Sequence, residues 1–194
     1  KIGVEYQPAK IKRTSFNPFN DLIFLFQLFL IFNRVKPDVI LTYTLKPVIY
    51  GTLVARIFSI KRRFAMITGL GYSFTFANSF KKKILSQTVS VLYKISLAGA
   101  KTIFFQNNND RDYFFKNNLI SSNAKTCRIM GSGVDLNHYS YKELPSKGVS
   151  FLLIARLLQD KGIREYVKAA EIVIKQRPND DITFSILGPF DSNP

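Results

Sequence analysis

Phe151-Leu152-Leu153-Ile154-Ala155-Arg156-Leu157-Leu158-Gln159-Asp160-Lys161-Gly162 runs an apolar strand into a loop with two cations and then into a helix start. That order builds an anion site. The carboxyl end of the strand opens a crevice, and the next helix presents backbone N–H groups that have no partner within it. Arg156 and Lys161 add positive charge, so a diphosphate placed there is held from three sides. The helix pattern continues to Gln176, with Ile163, Val167, Ala170 and Ile174 expected as its inward stripe, and a strand over Ile182–Leu187 ends at Gly188-Pro189. This reads as an opening β-α-β unit.

The rest of the chain carries the same alternation, the signature of parallel sheets with crossover helices. Asn17-Pro18 supplies a helix cap and a first-turn proline, and that helix ends before Lys36-Pro37. Strands are expected at Val39–Thr42, Phe64–Thr68, Thr102–Phe105 and Thr126–Met130. Helices are expected at Pro47–Ser59, Lys81–Ala98 and Asp110–Asn117. In the third of these helices Ile84, Leu85, Val91, Leu92 and Ile95 share one face. Asn137–Gly148 has the Pro, Ser, Lys and Gly content of a linker. Two domains are therefore expected, 1–148 and 149–194. The chain opens in a strand and stops in a loop, so it reads as a fragment.

Composition narrows the chemistry. One cysteine, Cys127, excludes a disulfide framework and a multi-cysteine zinc site, and points to a reducing compartment. One histidine, His138, excludes a histidine-rich metal site, and nothing around it supplies both a nucleophile and an orienting acid. Residues 1 to 149 hold 22 Lys/Arg against 7 Asp/Glu, whereas residues 150 to 194 hold 6 of each. The net charge of +15 therefore belongs to the first part, which suits an anionic partner such as phospholipid or nucleic acid. Leu22–Phe32 is apolar but short of the ~20 residues of a membrane span, and Gln27 interrupts it. Peripheral attachment is compatible with this reading and a span is not.

Three further stretches bear on ligands. Gly69-Leu70-Gly71-Tyr72-Ser73-Phe74 begins like a dinucleotide fingerprint, but Phe74 replaces the third glycine and no acidic residue follows at the ribose-binding distance. The glycines instead suit close approach of backbone to a ligand. Thr42-Tyr43-Thr44-Leu45-Lys46-Pro47 also sits where a strand gives way to a helix, with hydroxyls and an ammonium suited to sugar or phosphate. Lys81-Lys82-Lys83 opens an amphipathic helix, where cations face the positive end of the helix dipole. Anionic lipid compensates at ~1 kcal/mol per lysine.

In order, Val39-Ile40-Leu41-Thr42-Tyr43-Thr44-Leu45-Lys46-Pro47, Ile67–Phe74, Phe105-Gln106-Asn107, Gly131-Ser132-Gly133-Val134-Asp135 and Ala155–Gly162 resemble the family-four retaining glycosyltransferases. The resemblance is to bacterial enzymes of capsule, O-antigen and related glycan synthesis that extend polyprenyl-diphosphate-linked sugars. It implies an α/β fold of the GT-B type, with two Rossmann-like parallel-sheet domains across a cleft. The first would lack its opening strand and the second would stop after its first β-α-β. A UDP-sugar donor would bind the second domain and the acceptor the first.

Carried over by position, Arg156 and Lys161 would grip the donor diphosphate in place of a metal, with no cofactor. Gly188 and Pro189 would lie near the nucleoside. Tyr43, Lys46, Gly69, Gly71 and Tyr72 would line the acceptor side. Lys81, Lys82 and Lys83 would meet anionic membrane, placing the protein on the cytoplasmic face of the cell membrane. Many relatives carry histidines where this chain has Leu41 and Tyr43, so a histidine role there does not transfer. The resemblance puts the catalytic glutamate pair beyond the chain's end, so the chain alone is expected to be inactive. The competing expectations are a non-enzymatic basic domain binding nucleic acid or anionic membrane, with no recognised nucleic-acid-binding motif, and a nucleotide-sugar epimerase of the same architecture.

Overall fold

The computed structural model describes residues 3–11, 18–70, 80–144, 146–158 and 161–190. The chain forms two compact units, Lys1–Gly133 and Val134–Pro194, so the linker-like stretch before Val149 counts with the second.

In the first unit the elements are α1 (Pro18–Val35), β1 (Val39–Tyr43), α2 (Leu45–Ile57), β2 (Arg62–Ile67), α3 (Phe80–Leu97), β3 (Thr102–Phe105), α4 (Asn108–Lys116) and β4 (Thr126–Arg128). The four strands are parallel in the order β1-β2-β3-β4. Register places Thr42 beside Ala65, Ala65 beside Ile103 and Ile103 beside Thr126, so one row of side chains faces the helix layer. Right-handed crossovers that all step the same way along a sheet put their helices on one face. Accordingly α1 packs on α2, and α2 on α3.

The core fills the space between that layer and the sheet. Val48 and Ile49 of α2, Ala65 and Ile67 of β2, Val89 and Tyr93 of α3, and Ile103 and Phe105 of β3 are buried there with Phe114 of α4. Phe114 meets Tyr93 and Phe105 edge-on at 5.0 and 5.3 Å. Burying a ring of this kind stabilises by about 1.5–3 kcal/mol. The opposite sheet face carries exposed Leu41 and Tyr43 and the stacked pair Phe64–Phe104.

Three expectations change. Helix α2 starts at Leu45, two residues before Pro47, because a proline in the first turn sacrifices an N–H that has no helical partner anyway. In α3 the inward residues are Leu85, Val89, Tyr93 and Leu97, while Ile84, Val91 and Ile95 face outward. The helix is apolar around much of its circumference, so period alone does not select the core side. Finally, α1 reaches 18 residues and by length and composition could cross a bilayer. Its side-on contacts with α2, through Phe24 on Tyr50 and Phe32 on Phe58, make it part of the helix layer.

The second unit contains β5 (Val149–Ile154), α5 (Ile163–Gln176) and β6 (Ile182–Leu187). The strands are parallel, with Phe151 paired to Phe184 and their rings stacked at 5.0 Å. The inward stripe of α5 is Ile163, Tyr166, Ala170 and Val173, and the expected Val167 and Ile174 are exposed. Tyr166 sets this rotation. Its ring meets Phe184 edge-on, and its hydroxyl donates to the carbonyls of Phe151 at 2.9 Å and Ser185 at 3.1 Å, clasping the strands together.

Candidate functional site

The carboxyl ends of parallel strands are where α/β sheets collect ligands, and each unit presents one such end. In the first unit β1 ends at Tyr43, which is exposed on the sheet face away from the helices. Thr44 then adopts φ 70° and ψ 166° to start α2, a conformation a β-branched residue rarely takes. Two residues on, Lys46 turns inward and is only 5% exposed. Its ammonium lies 2.6 Å from Oδ1 of Asp21 in α1, and Oδ2 of the same carboxylate accepts the Tyr50 hydroxyl at 2.8 Å. Lys46 thus ties the loop to α1.

Burial, reinforced by the hydrogen bond to Asp21 and its negative charge, pushes the Tyr50 phenol above its ordinary value near 10. The protonated phenol is the form the fold favours. Its contribution to stability is therefore complete below pH ~10 and is lost as pH rises beyond it. Tyr50→Phe is expected to cost about 1–2 kcal/mol at neutral pH and to flatten the decline in stability under alkaline conditions. Urea unfolding across that pH range reads both effects.

At the end of β2, Gly69 has φ 151° and open space where a side chain would stand. Gly71 and Tyr72 lie outside the described residues. At the end of β3, the Asn107 side chain caps α4 by accepting from the Asp110 N–H at 2.7 Å, and donates back to the Asp110 carboxylate at 2.8 Å. Buried Asp110 sits near Tyr93, whose phenol is pushed up by burial and then by that charge. The Asn-x-x-Asp spacing is a capping signal legible in sequence. The Asp21–Lys46–Tyr50 cluster joins residues far apart in the chain and had no such signal.

In the second unit, β5 passes into the loop bearing Arg156, and hydrogen bonds continue beyond the strands from Ala155 N–H to Leu187 O and from Leu157 N–H to Pro189 O. Leu158, 7% exposed, anchors the loop. Arg156 and Lys161 remain on the surface on either side of it, and Gly162 caps α5 in a left-handed conformation with φ 72°. Gln159 and Asp160 lie outside the described residues. Arg156 and Lys161 thus both lie in the segment between β5 and the 14-residue helix α5.

Gly188 fixes the other wall of that loop. A Cβ there would stand 1.7 Å from the carbonyl oxygen of Ala155, a backbone atom with nowhere to go. Gly188→Ala must therefore push the Ala155–Arg156 backbone away from β6. We expect a loss of about 3 kcal/mol in urea unfolding. Pro189 follows directly, its carbonyl held by Leu157.

Lys81, Lys82 and Lys83 occupy the first turn of α3, and Lys83 is exposed; the side chains of Lys81 and Lys82 lie outside the described residues. His138 packs its ring edge-on to Tyr139 at 4.7 Å, and Cys127 is exposed on β4. Among the described residues no three His, Cys, Asp or Glu side chains gather into a metal-ligating group.

Comparison with known proteins fits this arrangement. An N,N'-diacetylbacillosaminyl-diphospho-undecaprenol alpha-1,3-N-acetylgalactosaminyltransferase of Campylobacter jejuni is 29% identical over 206 aligned positions, which cover 100% of this chain and 53% of that protein. The S. aureus MnaA-UDP co-structure matches 98% of this chain and 49% of its own at TM-score 0.52 and 16% identity. A UDP-N-acetylglucosamine 2-epimerase crystal structure matches 93% and 52% at TM-score 0.50 and 14% identity. The chain thus spans about half the length of each. At these identities the two structures speak to fold alone, and that fold is the parallel-sheet α/β arrangement of GT-B type proteins. The pattern of the Glycosyl transferase 4-like family matches residues 2–107, more than half of the sequence, and the chain belongs to that family.

Proposed function

We propose that the protein transfers a hexosyl or N-acetylhexosaminyl group, with retention of anomeric configuration, from a UDP-sugar to a polyprenyl-diphosphate-linked acceptor in bacterial surface glycan synthesis. The observation that supports this reading is the likeness, over the whole of this chain and 53% of the relative, to the Campylobacter enzyme, whose name specifies a diphospho-undecaprenol acceptor. The chemistry of the second unit supports it. Arg156, Lys161 and the first N–H groups of α5 follow the carboxyl end of β5 in sequence and are chemically suited to an anion. As the sugar–phosphate bond breaks, negative charge grows on the departing diphosphate, and donors already in place stabilise it more than they stabilise the bound substrate. In this proposal the two cations do the work of a divalent metal, and no cofactor is required.

In this proposal Gly188 and Pro189 serve the nucleoside, and Tyr43, Lys46, Gly69, Gly71 and Tyr72 serve the acceptor. Lys46 acts there through its ion pair, holding Thr44 and the start of α2 in place. Lys81, Lys82 and Lys83 meet anionic lipid, and the protein works as a peripheral enzyme on the cytoplasmic face of the membrane.

The test is transfer by the full-length protein from a panel of UDP-hexoses and UDP-N-acetylhexosamines to a short-chain polyprenyl-diphosphate sugar, with the new linkage read by NMR. An acceptor-dependent product of the donor's anomeric configuration is expected. Interconversion of the UDP-sugar without any acceptor would instead make the protein an epimerase and overturn the reading.

A further inference from the structure

We propose that Thr44 is a specificity-determining residue that presents its hydroxyl to a hydroxyl of the acceptor's sugar, an assignment that rests on the acceptor-side reading of this strand end. Four non-glycine residues among those described have positive φ. Lys36, Ser59 and Asn118, with φ from 48° to 55°, each lie just past the carboxyl end of a helix, where a left-handed residue is common. Thr44 instead opens a helix. Its φ of 70° and ψ of 166° fall in a region that essentially glycine alone populates.

The fold holds it there from both sides. Strand β1 ends at Tyr43 and α2 begins at Leu45, so a single residue makes the whole turn. Upstream, buried Thr42 donates its hydroxyl to the Phe64 carbonyl at 3.2 Å, and Gly51 leaves room for its methyl, since a Cβ there would stand 2.8 Å away. Downstream, the Lys46 ion pair fixes the first turn of α2, and the Thr44 carbonyl accepts the Val48 N–H at 2.9 Å. Neither flank can shift to relax residue 44 without breaking one of these contacts.

Folding gives no reason for threonine at this position. Glycine would make the turn without strain, and a threonine that opens a helix ordinarily stabilises it by accepting an N–H of the first turn. Thr44 makes no such bond. A residue both strained and idle as a cap, kept at a strand end where α/β sheets collect ligands, points to a role outside folding. Charge identifies what it meets. The ammonium on this turn is buried against Asp21, so the polar side chains that stay accessible on it, half-exposed Tyr43 and partly exposed Thr44, carry neutral hydroxyls. Such groups exchange hydrogen bonds with a neutral sugar, whereas a phosphate would call for a cation.

Acceptor KM, donor KM and the urea midpoint are measured for the full-length protein and its Thr44→Val, Thr44→Ser and Thr44→Gly variants, with the short-chain polyprenyl-diphosphate sugar as acceptor. Thr44→Val keeps the branched shape without the hydroxyl and is expected to raise acceptor KM about fivefold or more, with donor KM unchanged. Thr44→Ser should stay within about twofold of wild type. Thr44→Gly should unfold at or above the wild-type midpoint and still match Thr44→Val in acceptor KM, a combination that a merely structural residue does not give. A wild-type acceptor KM in Thr44→Val overturns the proposal, as it does in Thr44→Gly should the valine variant not fold. So does a Thr44→Ser loss as large as that of valine, or a Thr44→Gly midpoint below wild type. Wild-type transfer that these changes leave untouched sinks this inference alone; a wild type that transfers to no acceptor sinks the preceding reading and this one with it.

Discussion

Arg156→Ala combined with Lys161→Ala is expected to lower kcat of the full-length protein by about 1,000-fold or more, with a smaller rise in the donor KM. The asymmetry follows from where the charge is. A UDP-sugar already carries its diphosphate charge, so in the proposed role the two cations would contribute to ground-state binding, but bond cleavage adds a further charge that only the transition state presents. Removing one donor of this type costs about 100- to 1,000-fold, and the second removal is less than additive once the first has opened the site to water. Because both side chains lie on the surface around the Leu158 anchor, the variant should unfold within about 0.5 kcal/mol of wild type. Arg156→Lys should recover little, since a point ammonium does not reproduce the guanidinium fork. Undiminished turnover by the double variant with intact stability removes the donor-site assignment.

How far the sequence foretells this molecule differs between its elements for identifiable reasons. Strand β3, Thr102–Phe105, buried in its sheet, and strand β6, Ile182–Leu187, largely exposed, both fall where their apolar runs end against turn residues. Arg156 and Lys161 flank one segment simply because five positions separate them in the sequence. Helix faces were less legible. Spacing offered Val167 and Ile174 for the core side of α5, and the tyrosine hydroxyl of Tyr166, reaching two strand carbonyls, turned the helix instead. A polar atom whose best partners lie on another element carries no periodic trace.

Lys46 shows the same limit at the level of the site. Beside Thr44 and Pro47 it reads as an ammonium offered to a ligand. The carboxylate that engages it is 25 residues earlier, inside a helix otherwise rich in phenylalanine and leucine. An acidic residue in such a helix was itself the available clue, because a carboxylate set among apolar side chains needs a partner. What sequence could not supply was which lysine.

That cluster carries the largest expected change in stability. Asp21→Ala takes the carboxylate from the Lys46 ammonium, 6% exposed in its side chain, and breaking a buried pair by removing one member costs about 3–5 kcal/mol. Lys46→Met is expected to cost less, because Asp21 is more exposed at 17% and still accepts the Tyr50 hydroxyl. Combining Asp21→Leu with Lys46→Met replaces the pair by apolar bulk of similar size and should restore most of the stability lost by Asp21→Ala. Urea unfolding of the three variants gives the coupling directly. A result in which Asp21→Ala unfolds with the stability of wild type would mean that the pair is not what fastens α1 to α2. The Phe24–Tyr50 and Phe32–Phe58 contacts would then hold the helix in the layer by themselves.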